Sequence, residues 1–117
     1  MLLSANVSAG DFLDRLSILR IKESHGLDVA TEIGEYEKQL DLFEKRGLTY
    51  FMELLLSINR AMWELEDTKR NSVKRKTEDY DNVSELITQL NDIRFQVKKR
   101  IDIYFKSEIS EKKSHKE

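Results

Sequence analysis

Apolar residues recur along most of this chain at intervals of three and four, the spacing that lines one face of a helix. Residues 1–7 are apolar but unpatterned and read as an extended lead-in. Ser8 then begins a helix: Asp11 stands three residues on, an acidic variant of the capping box, and Asp14 adds a charge suited to the positive end of the dipole. This first helix spans about 8–25 and Gly26 stops it. Phe12, Leu16 and Leu19 form one stripe, Ile18 and Ile21 fall nearly opposite, and Leu13 lies between. A helix apolar on two faces is central in its own bundle or shared with another chain.

The second helix spans about 28–46. Val29, Ile33, Tyr36, Leu40 and Phe43 alternate at four and three, a narrow seam, and Gly47 supplies the stop. Gly34 within it costs up to about 1 kcal/mol against Ala and would permit close approach of a neighbour. The third helix spans about 49–70 with Thr49 as N-cap, its apolar face formed by Phe51, Leu54, Leu55, Ile58, Met62 and Leu65. Asn71–Asp79 reads as a flexible connection. The fourth helix spans about 81–106, with a stripe of Val83, Leu86, Leu90, Ile93, Val97, Ile101 and Tyr104. Residues 107–117 read as a flexible polar tail. One all-α domain over 1–106, an antiparallel four-helix bundle, is the expected fold.

Composition supports this outline. Charged residues make up 36% and apolar residues 39% of the 117, which suits helices with one charged face and is too apolar for wholesale disorder. There is no proline, so no helix is obligatorily broken, and glycines must mark the ends. The absence of cysteine excludes disulfides, thiolate metal sites and Cys nucleophiles. The N-terminus lacks the basic start and long apolar run of a signal peptide, and Leu54-Leu55-Leu56 is far short of a membrane span. A cytoplasmic protein with no membrane attachment is expected.

The net charge of −2 supplies no field for nucleic acid. Lys69–Lys76 is wholly basic in its charges, but it lacks interleaved aromatics for base stacking and suits pairing with acidic helices instead. Nucleic acid is therefore not an expected partner.

Three segments, SAGDFLDRLSILRIK (8–22), NRAMWELED (59–67) and NDIRFQVKKRI (91–101), stand in order along the chain. They resemble the blocks of a domain-of-unknown-function family of small helical bacterial and phage proteins: S-x-G-E-L-x-D-K-x-x-I-L-x-I-K, N-x-x-L-W-x-I-E-D and N-D-x-R-x-x-x-K-x-x-I. The closing SEISEKKSH is similar to that family's end. Asp11 and Arg15 keep the charge of the family's Glu and Lys, and Met62 and Leu65 stay apolar. The resemblance implies that Asp14, Lys22, Asn59, Trp63, Glu66, Asp67, Asn91, Asp92, Arg94 and Lys98 are the recurrent polar positions. It carries no activity; some relatives are joined to tetratricopeptide or glycosyltransferase-like regions.

On a helical wheel, Asn59, Trp63, Glu66 and Arg70 share a stripe beside Leu55 and Met62 at the core's edge. Arg94 falls between Ile87, Leu90 and Ile101, with Asn91 and Lys98 flanking it, and Lys22 lies beside the first helix's apolar stripe. An arginine so placed needs a carboxylate, and Glu66 matches it by type and phase. These residues form either an ion-pair and amide network that fixes helix register or a ligand pocket. As a pocket, Lys22, Asn59, Trp63, Glu66, Asn91, Arg94 and Lys98 would hold a small anionic or sugar-like ligand through bidentate arginine contacts, amide bonds and stacking on the indole. The expectation is a non-catalytic oligomeric binding or interaction module with no cofactor.

The alternative is a Mg-dependent all-α nucleotide pyrophosphohydrolase. Glu32 and Glu35 on one helix and Glu64 and Asp67 on another would hold the metal. Phase opposes it, because Asp67 lies nearly opposite the Leu54–Ile58–Leu65 face. His25 and His115 are isolated, and no Ser–His–acid set, GxGxxG or P-loop is present. Phe95 and Ile103, with Ile18 and Ile21, fall off the main stripes and would make an apolar patch for a homo-oligomer, most simply a two-fold dimer.

Overall fold

Ser8 caps the first helix as its sequence requires. In the computed structural model, which describes residues 3, 7–75 and 79–116 and the side chains among them other than those of 72–79 and 107–116, its Oγ accepts from the Asp11 amide at 3.1 Å. Helix α1 runs Ala9–Ser24 and closes on Gly26, whose φ of 85° is open to glycine at no steric cost. The Leu27 amide reaches back to the Lys22 carbonyl and the Gly26 amide to the Glu23 carbonyl, a Schellman closure.

The second helix is shorter than its seam suggested. Helix α2 is Ala30–Glu37, followed by a single 3-10 turn at Leu40–Leu42, and Phe43 is extended. The seam residues still point inward, but Phe43 leaves the helix to insert its ring between Phe12 and Phe105. Gly34 has nothing within 4 Å of where a Cβ would stand, so it permits no close approach.

Helix α3 begins earlier than expected, at Lys45, and runs to Arg75. Its cap is Glu44, not Thr49: the Glu44 carboxylate accepts from the amides of Arg46 at 3.0 Å and Gly47 at 2.6 Å. Gly47 is thus inside the first turn and stops nothing. A Cβ there would strike the Tyr104 ring, so glycine lets α4 approach. The expected connection at 71–79 is largely helical, with residues 76–78 outside those described. Helix α4 runs Asp79–Lys116, so helix continues through 107–116, where a polar tail was expected; Glu117 lies outside the described residues.

Among the described residues, four α-helices and the 3-10 turn make up the regular structure, with no strand: an all-α bundle. Gly10 meets Asp102, Asp11 meets Lys98, Asn59 meets Arg94 and Phe51 meets Phe105, so α4 runs against both α1 and α3. Asp14 with Asn59 and His25 with Trp63 set α1 parallel to α3. The short α2 returns along α1, Ile33 packing with Leu16 and Leu19 and Tyr36 against Phe12.

Helix α1 is central, packing on all three others. Phe12, Leu13, Leu16, Leu19 and Ile21 are all buried, which is why it is apolar on two faces. Ile21 is therefore core and not surface, and Ile18 is half-buried. On α4 the buried face is rotated from the expected stripe: Val83, Ile101 and Phe105 are buried, whereas Leu86 and Ile93 are exposed. The reason is that α4 must satisfy α1 and α3 together, so its inward face is centred on Arg94 and Ile101, between those helices.

Candidate functional site

Where α1, α3 and α4 meet midway along the bundle, the core changes from rings to polar groups. Asp14 is 6% exposed and Asn59 5%. Asn59 Nδ2 donates to Asp14 Oδ1 at 2.9 Å and to Ser17 Oγ at 2.8 Å. Ser17 spends its own proton on the Asp14 carbonyl at 2.6 Å. On its other side Asn59 Oδ1 accepts from Arg94 Nη1 at 3.1 Å, and Arg94 Nη2 donates to Asn91 Oδ1 at 2.8 Å. An arginine can only donate and a carboxylate only accept, so the Asn59 amide has one orientation that serves both.

One turn along α4, Lys98 Nζ lies 2.6 Å from Asp11 Oδ1 and 3.9 Å from Asp14 Oδ2. The hydrogen bond from Lys98, aided by its charge and that of Arg15, holds the Asp11 carboxyl below its ordinary range against the opposing effect of partial burial. The set balances formally: Asp11 and Asp14 face Lys98 and Arg94, with Asn59 relaying between the buried carboxylate and the guanidinium. Gly10 locks the neighbouring turn. Its amide donates to Asp102 Oδ1 at 2.7 Å, and a Cβ there would collide with the Lys98 carbonyl.

Beside this network opens a cleft of about 370 Å³. Ile18, Ile21 and Met62 give it apolar walls, Asn59 and Arg94 one polar end, and Glu66 and Arg70 the other, with Trp63 between. His25 covers one side of the indole, the two rings stacked with centroids 4.5 Å apart and planes within 11°. Among the described residues Arg94 forms no ion pair; its bonds go to two amide oxygens.

Of the seven residues expected to form a site, Asn59, Trp63, Glu66 and Arg94 line this cleft. Asn91 supports Arg94 from behind. Lys98 is drawn to Asp11 and Asp14 instead, and Lys22, half-buried in the last turn of α1, does not line the cleft. The expected pairing of Arg94 with Glu66 is not made, because Asn59 and Asn91 take the guanidinium first.

Two members of the network stand outside the seven expected site residues. Asp14 is expected at the helix dipole and, by the resemblance, among the recurrent polar positions; Ser17 has no expected role. The signal was present in the spacing Gly10, Asp14, Ser17, Ile21, four small, polar or apolar positions on one side of α1 that are all buried. A carboxylate inside such a stripe is a core group with a partner. His25, read as isolated, is the ring that stacks on Trp63.

The four carboxylates of the metal-enzyme alternative are exposed and separate. Glu35 binds Lys38 and Asp67 binds Arg70, each within its own helical stretch. No three His, Cys, Asp or Glu side chains among the described residues stand close enough to share a metal ion. No described helix is long and apolar enough to cross a membrane. The molecule is thus an all-α bundle with one mixed apolar and cationic cleft at its three-helix junction. Compared with protein-family models, curated proteins and solved structures, the chain matches none.

Proposed function

We propose that this protein is a non-catalytic binding module whose cleft at the junction of α1, α3 and α4 takes a small ligand carrying an anionic group. The observation that supports the reading is Arg94: a half-buried guanidinium held in place by two amide oxygens, without an ion pair among the described residues, at the end of an apolar cleft. Fixing a cation by neutral acceptors leaves its remaining N–H groups available for a carboxylate or phosphate, at little entropic cost on binding. Trp63, Met62 and Ile21 would cover the ligand's apolar or sugar-like body, and Glu66 at the other end would accept its hydroxyl or amine donors. No group in the cleft is arranged as a nucleophile with a base, which is why the reading stops at binding.

Trp63 is the only tryptophan, so its emission reports on the cleft alone. Titration with citrate, glucose 1-phosphate and glucose is expected to give a saturable change with an anionic member and none with glucose. Arg94→Gln keeps a donor toward Asn59 and removes the charge; it should weaken that response at least about tenfold, the value of one charge-assisted contact. A flat response across the anions with the helical circular dichroism intact would remove the proposal and leave the network a purely structural one.

A further inference from the structure

The outward face of α4 carries a second pattern that the bundle does not use. Leu86, Gln89, Ile93, Gln96, Arg100 and Ile103 alternate at three and four, the seam of a coiled coil, and all six are exposed. Its three aliphatic members are exposed, Leu86 at 47%, Ile93 at 49% and Ile103 at 60%. Beside the seam, Tyr50 and Leu54 of α3 with Ile93, Val97 and Arg100 border an open groove of about 260 Å³. Three large aliphatic side chains at seam spacing on one solvated helix face are costly to leave in water.

The charges along the seam's edge say what covers it. Glu85, Asp92, Lys99 and Lys106 recur every seven residues, all exposed, two acids and then two bases. A helix with that sequence is complementary to itself run backwards. We infer that a second copy of this chain docks here, α4 against α4 in antiparallel two-fold register. Glu85 of each copy then meets Lys106 of the other, Asp92 meets Lys99, and Leu86 packs on Ile103. Near the two-fold axis Ile93 packs on Gln96, and Gln89 faces Arg100. A parallel pairing stacks Arg100 on Arg100 and leaves both acids without bases. The two glutamines and Arg100 in the seam weaken the association but fix its register, as polar seam residues do. This surface is separate from the ligand cleft, and its failure leaves the cleft untouched.

Sedimentation velocity at micromolar concentration should give a dimer. Asp92→Lys sets lysine against Lys99 and should raise the dissociation constant at least about tenfold, and the double exchange Asp92→Lys with Lys99→Asp should restore it. Both positions are exposed, so circular dichroism should not change. Direction is read by cross-linking, since the chain has no cysteine of its own. Glu85→Cys with Lys106→Cys should form an intermolecular disulfide, and Glu85→Cys alone should not. A monomer at every concentration, a double exchange as weak as the single variant, or efficient cross-linking by Glu85→Cys alone would each overturn the inference.

Discussion

Helices α1, α3 and α4 meet twice along their length, and the two meetings are built differently. At the first, Phe12, Phe43, Phe51 and Phe105 interlock, Phe12 stacked on Phe43 and Phe105 edge-on to Phe43 and tilted against Phe51. About two turns further along α3, the same three helices meet through Asp14, Ser17, Asn59 and Arg94. Rings supply burial, which is non-directional and tolerates small slips between helices. The amide relay supplies little net energy, but a shift of one helical turn would leave a buried carboxylate and a half-buried guanidinium unpaired. One meeting holds the bundle together; the other states which residues face which. The cleft opens beside the second.

The largest effect should come from the ring end. Phe105 is fully buried, touching Phe43 and Phe51, and Phe105→Ala removes the ring at the point where α4 closes on the others. A loss of about 3–5 kcal/mol in urea unfolding is expected. A loss below about 1 kcal/mol would mean that the rings can close the gap, and the contrast between the two ends would collapse.

Asn59→Leu attacks the polar end with a side chain of similar size. It removes the groups that satisfy Asp14 Oδ1 and Arg94 Nη1 while adding apolar volume. The expected cost is about 2–3 kcal/mol, less than at Phe105 but dominated by unpaired groups. Adding Asp14→Leu should recover part of that loss, since both the amide and the carboxylate are then gone. If Asn59→Leu is neutral or stabilising on its own, the polar meeting point is replaceable core and sets no register.

How far this contrast could be read beforehand follows from its chemistry. The helical periods announced α1 closely, because Ser8 and Gly26 mark its ends by local geometry alone. The end of α2 was hidden, since Phe43 leaves the helix to fill a hole between Phe12 and Phe105, which only the assembled bundle creates. Glu44 as the cap of α3 is hidden for the same reason: a seam that continues through Phe43 places Glu44 inside the second helix. Asn59, Trp63, Glu66 and Arg94 were legible because polar residues on an apolar stripe demand explanation. Their partners were not, because phase on one helix does not reveal which residue of another helix arrives opposite. Thus Glu66 matches Arg94 by type and phase, whereas neutral Asn59 and Asn91 hold it. Likewise the outward seam of α4 is not separable from its inward face by periodicity, because Leu86 follows Val83 by three residues and Ile93 follows Leu90 by three, the spacing that continues a single helical stripe.

The smallest effect belongs to the rim of the polar end, where Asp11 meets Lys98. The Asp11 carboxyl is held below its ordinary range in the folded state, chiefly by the hydrogen bond from Lys98, so the folded protein binds its proton less readily than the unfolded chain does. The stability this contributes is complete above the ordinary aspartate range, at about pH 5 and higher, and is lost as the pH falls through and below about 4. The Asp11 side chain is 42% exposed, so solvent screening keeps the contribution under about 1 kcal/mol. Lys98 also retains Asp14 at 3.9 Å when Asp11 is neutralised, which blunts the loss further. Asp11→Asn should therefore differ from the parent by a few tenths of a kcal/mol at pH 7 in urea melts, and the two should converge as the pH falls below the ordinary aspartate range. Added salt should narrow the gap at pH 7, since the pair is open to solvent. A gap that survives at low pH would show that Asp11 acts through its capping geometry near Ser8 and not through its charge. The polar end would then be ionic only at its buried centre, and its rim would belong with the local helix signals that fix α1.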